Sequence, residues 1–406
     1  MADDRTYLTP ASEAWMSGRP ASAAVGVGDL LFLSGQGSLT DDGRVADAGD
    51  VDAQTRNAFA RVSTVLEAAG AGIDDVLDVM TFHKDPRTMD AAFAVGRDVF
   101  SAPYPAWTAL GMVGAHDPGL EVVVRVVAHV GAGEKQGVTP AGFGWMEGLP
   151  LSAACRKGDY LFTSGIVAAD DGGAVVAPAD HMAQARFCYD RLKDVMQAAG
   201  GSLDDIVDMI CFNHDARGMD AAVDTWCNET VEGLAIGEAT SYTAIGMTGL
   251  HRMGQVGCYR AIADFSAGPR VAHNLPSIHW HDQRISGASR KKHGRLIGIS
   301  GQVASDGQQN IIARGDVASQ AHYCFGQIRG VLEKQGASLD DIVEIVSFHK
   351  DPRAWETVMA VGSELFKPGR GPAWTPIGCT GLYLEGYLHE IYAIAMVRRW
   401  KQRGVE

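Results

Sequence analysis

Cysteine is absent before Cys155, and the seven cysteines of the chain never fall in a C-x-x-C spacing. That pattern argues against a disulfide framework and a cysteine-pair metal site, and it fits reduced thiols in a cytosolic protein. Positive charge is short as well. There are 35 Lys and Arg against 49 Asp and Glu, a net charge of −14, which argues against nonspecific nucleic-acid binding. No apolar run reaches the ~20 residues of a membrane span, so no membrane partner is expected. The opening residues MADDRTYL are acidic and lack the apolar stretch of a signal peptide, which points to a cytoplasmic protein. No P-loop, dinucleotide fingerprint or H-E-x-x-H occurs, so neither a cofactor nor a metal is expected.

What the chain does have is threefold repetition. GDLLFLSGQ (Gly28–Gln36) returns as GDYLFTSGI (Gly158–Ile166) and GRLIGISGQ (Gly294–Gln302). LEAAGAGIDDVLDVMTFHKD (Leu66–Asp85) returns as MQAAGGSLDDIVDMICFNHD (Met196–Asp215) and LEKQGASLDDIVEIVSFHKD (Leu332–Asp351). Both blocks shift by 130 and then 136 residues, so the repeat is a whole domain rather than a solenoid unit. Three domains are expected, at 1–135, 136–268 and 269–406, each large enough for its own core. Hydrophobic content of 46% and charged content of 21% are ordinary for a globular protein.

Within a copy, Leu30–Leu33 reads as a short buried strand, followed by a Gly/Asp turn. A helix over Val51–Ala69 presents Phe59, Val62 and Leu66 at helical spacing, repeated by Tyr189, Leu192 and Met196 and by Phe325, Ile328 and Leu332. Gly70, Gly200 and Gly336 sit where a helix C-terminus favours glycine. Val76–His83 reads as a strand, and a second helix carries Met89, Phe93 and Gly96 on one side. Trp107–Met112 and Val122–Val130 read as closing strands, giving an order β-β-α-β-α-β-β, or one strand fewer. The class is α+β, with helices on one sheet face. The second copy carries about five extra residues before Tyr242.

The SGQ turn, the helix-entry glutamines Gln54, Gln184 and Gln320, the A-A-G…D-D-V strand entry, the P-A-x-T strand and the closing EIYAIA resemble the Rid family, also called YjgF or reactive-intermediate deaminases. The resemblance implies a chorismate-mutase-like fold and trimers with a substrate cleft at each interface. Three fused copies would then form an intramolecular pseudo-trimer, with a higher oligomer left open. It also implies hydrolysis of enamines and imines. An arginine after Pro-Ala would hold the substrate carboxylate, a glutamate on the last strand would activate water, and a tyrosine in the opening block would close the pocket. This chain departs from that pattern. Trp107, Tyr242 and Trp374 stand at the arginine position, and Ala21, Leu151 and Gly287 near the tyrosine position. The glutamate survives once, as Glu390, with Val123 and Cys258 in its place elsewhere.

The residues themselves rank the candidates. Strand alternation puts Leu388, Glu390 and Tyr392 on one face, and an acid in an apolar strand needs a partner or a cleft. Burial there would raise its pKa, which suits a general acid or base; a structural ion pair is the bland alternative. Arg125 and Arg260 share the position of Tyr392 and would either clamp a substrate carboxylate or pair with an acid of the neighbouring copy. Trp107, Tyr242 and Trp374 would form an aromatic pocket wall or plug a dead cleft. Thr375, Ser300 and Gln302 complete the expected binding set. Ser34, Ser164 and Ser300 lack a G-x-S-x-G elbow, which argues against a nucleophilic serine. His83 and His349 at strand ends fit a surface turn cap better than a general base, and His116 and His251 lie on a loop beside the cleft. His279 and His281 offer an H-x-H pair without a third ligand.

Three functions compete. The first is a hydrolase or deaminase acting on a C–N bond of a small unsaturated or aromatic-derived acid, with Glu390 as acid/base. The second is a noncatalytic ligand-binding or chaperone-like protein. The third is a ring-opening amidase resembling the cyanuric acid hydrolase and barbiturase class, whose Ser–Lys pairs find no lysine placed alike in all three copies.

Overall fold

The computed structural model describes residues 4–231, 233–235, 238–278 and 284–397. The H-x-H pair at 279–281 lies outside them. The first domain runs β1 (Arg5–Leu8), β2 (Ala24–Val27), β3 (Leu30–Leu33), β4 (Gln36–Gly37), α1 (Val51–Ala68), β5 (Val76–His83), α2 (Met89–Val99), β6 (Ala106–Gly111) and β7 (Val122–His129). Its sheet is ordered β1-β2-β3-β7-β5-β6, with β4 beside β7. Only β5 and β6 run parallel.

The second domain repeats this as β8 (Gln136–Val138), β9 (Ala154–Lys157), β10 (Tyr160–Thr163), β11 (Ile166–Val167), α3 (His181–Ala198), β12 (Ile206–Asn213), α4 (Met219–Thr225), β13 (Ser241–Gly246) and β14 (Gly257–Asp264). The third has β15 (Arg270–His273), β16 (Ala288–Lys291), β17 (Leu296–Gln302), α5 (Val317–Lys334), β18 (Ile342–His349), α6 (Trp355–Leu365), β19 (Ala373–Gly378) and β20 (His389–Met396). The expected helices and long strands are present. Sequence periodicity missed the outermost strands β1, β8 and β15 and their neighbours β2, β9 and β16. The outermost ones are three or four residues long, and their hydrogen-bonded neighbours rather than any apolar pattern hold them. The extra residues of the second copy follow α4, where the chain continues as a π-helical turn over Trp226–Thr230.

The long helices start alike because Asp50, Asp180 and Asp316 each accept a backbone N–H of the first turn. They stop alike because Gly70, Gly200 and Gly336 take positive φ. Strand alternation gives each sheet two buried faces. On β5, Val79 packs toward the helices with Phe59, Val62 and Phe93. Met80 and Phe82 point the other way and meet Ile210, Phe212, Val346 and Phe348 of the other two sheets in a shared inner core.

The three domains close a ring. Isolated parallel bridges join Ala106 to Ser152, Ser241 to Ser286, and Ser22 to Ala373, one for each pair of neighbours. Inside the ring lie six polar side chains at equivalent strand positions. Arg125 forks onto Glu344 of the third domain and also reaches Asp78. Arg260 of the second domain bonds Asp78 of the first, Nη2 to Oδ2 at 2.5 Å. Tyr392 of the third donates its hydroxyl to Asp208 of the second at 2.7 Å, and Ser241 donates to the other oxygen at 2.7 Å. All six are buried. Two guanidiniums thus face three carboxyls, and the carboxyl without an arginine, Asp208, is pushed up to about 7 by burial, against the hydrogen bonds from Tyr392 and Ser241.

Removing one partner of a buried charge pair strands the other. Arg125→Met should therefore cost about 3–5 kcal/mol in urea unfolding. Tyr392→Phe should cost only about 1–3 kcal/mol, because Asp208 can take up a proton. Equal losses for the two variants would contradict the charge assignment.

Candidate functional site

The turn residues that repeat in all three copies are structural fasteners. Ser164 Oγ accepts the Trp107 N–H at 2.8 Å, Ser300 Oγ the Tyr242 N–H at 2.7 Å, and Ser34 Oγ the Trp374 N–H at 2.8 Å. Each hydroxyl then donates to a carbonyl of its own domain: Ser164 to Ser152, Ser300 to Ser286, Ser34 to Ser22. Gly301 N–H donates to Thr243 Oγ1 at 2.7 Å, and Gly35 N–H to Thr375 Oγ1 at 2.8 Å. Gln302 folds back onto the Ser300 carbonyl. Ser300, Gln302 and Thr375, read from the sequence as substrate contacts, are thus engaged at domain seams. The serines have no free hydroxyl for a Ser–Lys pair, and Lys84 instead bonds Pro118 and Glu121.

The aromatic triplet turns away from the seams. Trp107 packs edge-on against Phe59, Phe93 and Phe100 between sheet and helices, with its indole N–H on Thr81. Trp374 does the same with Phe325, Phe366 and Ser347. Tyr242 bonds Tyr189 at 2.8 Å, hydroxyl to hydroxyl. These side chains fill space rather than wall an open pocket. The reason is alternation: on β6, Ala106 and Leu110 belong to the inner core, so Trp107 must face the helices. Nor do Arg125, Arg260 and Tyr392 offer a carboxylate clamp, since all three are committed to the inner cluster. That cluster was legible as Asp78, Asp208 and Glu344 at one aligned position in apolar strands, a signal the sequence reading passed over.

Glu390 behaves differently. It is 5% exposed, and no hydrogen bond or ion pair reaches it among the described residues. A Cβ built on Gly301 would collide with its Oε1, so the turn glycine makes room for the carboxyl. Gly301 in turn leans on Thr243 of β13, which places Glu390 at the seam between the second and third domains. Burial alone pushes its pKa to about 8, so the group is mostly protonated at neutral pH. Cys324, Cys379 and Tyr387 lie within its electrostatic reach, and burial followed by this carboxyl raises the first two. At the same position Val123 abuts Gly35 and Cys258 abuts Gly165, so the other two seams carry no acid there.

The strand-end histidines are not surface caps. His83 and His349 are buried on the helix side of the sheet, and burial lowers both to about 3. His83 is satisfied by Thr81 and Thr88, each at 3.0 Å. His349 bonds Ser347 at 2.8 Å, but Ala354 stands where the first domain has Thr88, and its Nδ1 is left unpaired. Its cross-strand partner is His389, 6.1 Å between ring centroids, with both nitrogens unpaired. Burial lowers His389 to about 4. Strand alternation turns His389 away from Glu390, onto the helix side with His349. His116 stacks on Trp15 at 5.4 Å and meets Trp355 of the third domain, and His251 bonds Asp90 of the first at 2.9 Å. Both loop histidines therefore pack between domains.

These shifts set a pH profile. Asp208 and Glu390 have raised folded pKa values, so their contribution is full below about pH 4 and is lost as pH rises through about 7 and 8. His83, His349 and His389 have lowered values, so their contribution is full above about pH 6.5 and is lost as pH falls toward 3–4. The urea midpoint should peak near pH 6.5, and Asp208→Asn with Glu390→Gln should flatten its alkaline limb. A midpoint that climbs steadily from pH 6.5 to 9 would rule this out.

Comparison with known proteins agrees with this architecture. A family profile described as Endoribonuclease L-PSP matches residues 13–130, 148–252 and 286–397, most of the chain. The RutC family protein YjgH of Escherichia coli (strain K12) is 40% identical over 111 residues, which is 27% of this chain and 82% of that protein. A 2-iminobutanoate/2-iminopropanoate deaminase of Dermatophagoides farinae is 31% identical over 93 residues, 23% of this chain and 73% of that protein. A chorismatase crystal structure at 15% identity covers 79% of this chain and 93% of its own, with a TM-score of 0.53, a likeness of fold alone. Among the described residues no helix is long and apolar enough to cross a membrane. With the profile matched once per domain and a relative sharing 40% identity, the chain belongs to the Endoribonuclease L-PSP family, the Rid or YjgF family, and carries its domain three times.

Proposed function

We propose that this protein hydrolyses a C–N bond, of the imine or enamine type, at the seam between its second and third domains, with Glu390 as acid and base. The observation that carries the reading is a buried carboxyl with no partner, in one seam of three, beside a glycine that leaves it room. Buried polar groups are normally paired, and an unpaired one at an interface marks either strain or chemistry. The deaminase of D. farinae, named for 2-iminobutanoate and 2-iminopropanoate, lends the reaction class.

Imine hydrolysis converts C=N and water into C=O and an amine. A protonated Glu390 donates its proton to the nitrogen while its second oxygen takes one from the attacking water. A tetrahedral carbinolamine results. Return of a proton from its hydroxyl to the nitrogen, again through the carboxyl, expels the amine and restores the acid. A pKa near 8 keeps the proton available at neutral pH. The ring built by one chain takes the place of three separate subunits, and two of its seams serve as scaffold.

Glu390→Gln keeps size and neutrality but cannot relay a proton. Ammonia release from freshly generated imines should fall by about 10²-fold or more, while the melting temperature stays within a few degrees. An unchanged rate would remove Glu390 from the chemistry.

A further inference from the structure

A ring closed by one chain has one seam that the backbone does not cross. The chain runs from β7 into β8 and from β14 into β15, whereas the third domain meets the first only through noncovalent contacts. Arg5 of β1 fastens that seam. Its guanidinium donates to the Met396 carbonyl at the end of β20 at 3.0 Å, to Asp341 Oδ1 at 3.3 Å and to the Asp340 carbonyl. Beside it lies a cavity of about 120 Å³, lined by Arg5 and Tyr7 of the first domain and by Asp340, Lys367 and Arg370 of the third; the rest of its lining is apolar. At ~30 Å³ per water it has room for about four waters, enough for one phosphate or carboxylate group and too little for a ring system.

The charge here departs from the plan of the other two seams. There an Asp-Asp turn faces two cations of the next domain. Asp75 pairs with Lys157 at 3.5 Å, and Lys135 donates to the Asp74 carbonyl. Asp205 pairs with Lys291 at 2.9 Å, and Arg270 donates to the Leu203 and Ile206 carbonyls. At the seam between third and first domains, Arg5 holds the position of Lys135 and Arg270, and Val27 replaces Lys157 and Lys291. Two other cations, Lys367 and Arg370, come instead from the loop before β19. The matching loop of the first domain carries Ser101 and Tyr104, and Ser101 bonds Asp74 at 3.2 Å.

Lys367 and Arg370 are exposed, and neither side chain has an ion pair or hydrogen bond among the described residues. With Asp341 engaged by Arg5, Asp340 is the one acid that lines the cavity. Positive charge is thus left over at a concave site in a chain of net charge −14. Such a site concentrates small anions, and guanidinium and ammonium groups bond oxyanions more strongly than neutral donors do.

The loop that presents these cations is braced. Ser22 of the first domain donates its hydroxyl to the Gly371 carbonyl at 2.9 Å and its N–H to the Pro372 carbonyl at 3.1 Å. A Cβ on Gly371 would strike the Pro20 carbonyl, so glycine permits this close approach. One side of the cavity therefore belongs to each domain, and a ligand in it touches both.

We propose that this cavity binds the oxyanion group of a small ligand, a phosphate or a carboxylate, and that the bound anion tightens the seam between the third and first domains. The site is separate from Glu390, which stands at the seam between the second and third, and does not depend on the hydrolase reading.

The test follows thermal unfolding of the whole chain in rising inorganic phosphate or acetate, against chloride at matched ionic strength. A ligand that binds only the folded ring raises the midpoint, here by about 2 °C or more for the preferred oxyanion. Phosphate ahead of acetate assigns a phosphate-bearing ligand, and the reverse order a carboxylate. Lys367→Gln and Arg370→Gln should each weaken the apparent affinity by about fivefold or more, and the double variant should abolish the shift. Lys193→Gln, on α3 of the second domain, removes a lysine elsewhere and should keep the shift. Stabilisation no greater than that by chloride is screening alone and overturns the proposal, as does a shift that survives in the double variant. Hydrogen exchange on the unaltered protein decides the matter even if the variants fail to fold. The preferred oxyanion should slow exchange in β1 more than in β8, the same edge strand of the second domain, and equal effects on the two strands overturn the site.

Discussion

Six buried side chains on six strands, two from each sheet, set two arginines and a tyrosine against three carboxyls and hold the inner face of the ring in register. Each reaches into a neighbouring domain, so no sheet can slide or rotate without stranding a charge in the apolar interior. Such pairs add little net stability over an apolar packing but discriminate sharply among arrangements. The seams depend on that discrimination. In this register each turn serine meets the N–H of the second residue of its neighbour's strand, and Gly301 comes to rest on Thr243 with Glu390 behind it.

The scaffold is nearly threefold; apart from the π-helical insertion of the second domain, the exchanges of polar and apolar side chains noted above collect in the third. The third domain has Tyr392 for an arginine, Glu390 for Val123 or Cys258, His389 for Val122 and Ala354 for Thr88. Each exchange would appear three times in a trimer of identical chains. Here each appears once, so the ring tolerates an unpaired carboxyl and an unsatisfied histidine pair that three copies together would make far more costly.

Much of the fold was legible because it follows from periodicity and caps. The helix faces through Phe59, Tyr189 and Phe325, the capping glycines and the strand Val76–His83 needed no tertiary knowledge. The edge strands did, because short polar segments acquire strand geometry only from a partner. The site was legible in part. Glu390 stood out as an acid in an apolar strand. The same logic applied to Asp78, Asp208 and Glu344 would have revealed the acids that claim Arg125 and Arg260. Trp107 and Trp374 were misplaced because their strand's inner face could not be assigned from β6 and β19 alone. Sequence spacing also could not tell which domain stands opposite Glu390, since that depends on the sense in which the ring closes.

Closure within a single chain carries a further consequence. A ring of separate subunits exists in proportion to their concentration, and at low abundance its interfacial sites vanish with it. Here the bridges from Ala106 to Ser152, Ser241 to Ser286 and Ser22 to Ala373 are intramolecular. Their effective concentration is set by the linkers and not by how much protein the cell makes. The seam beside Glu390 is therefore complete in every folded molecule, one per chain, at any dilution.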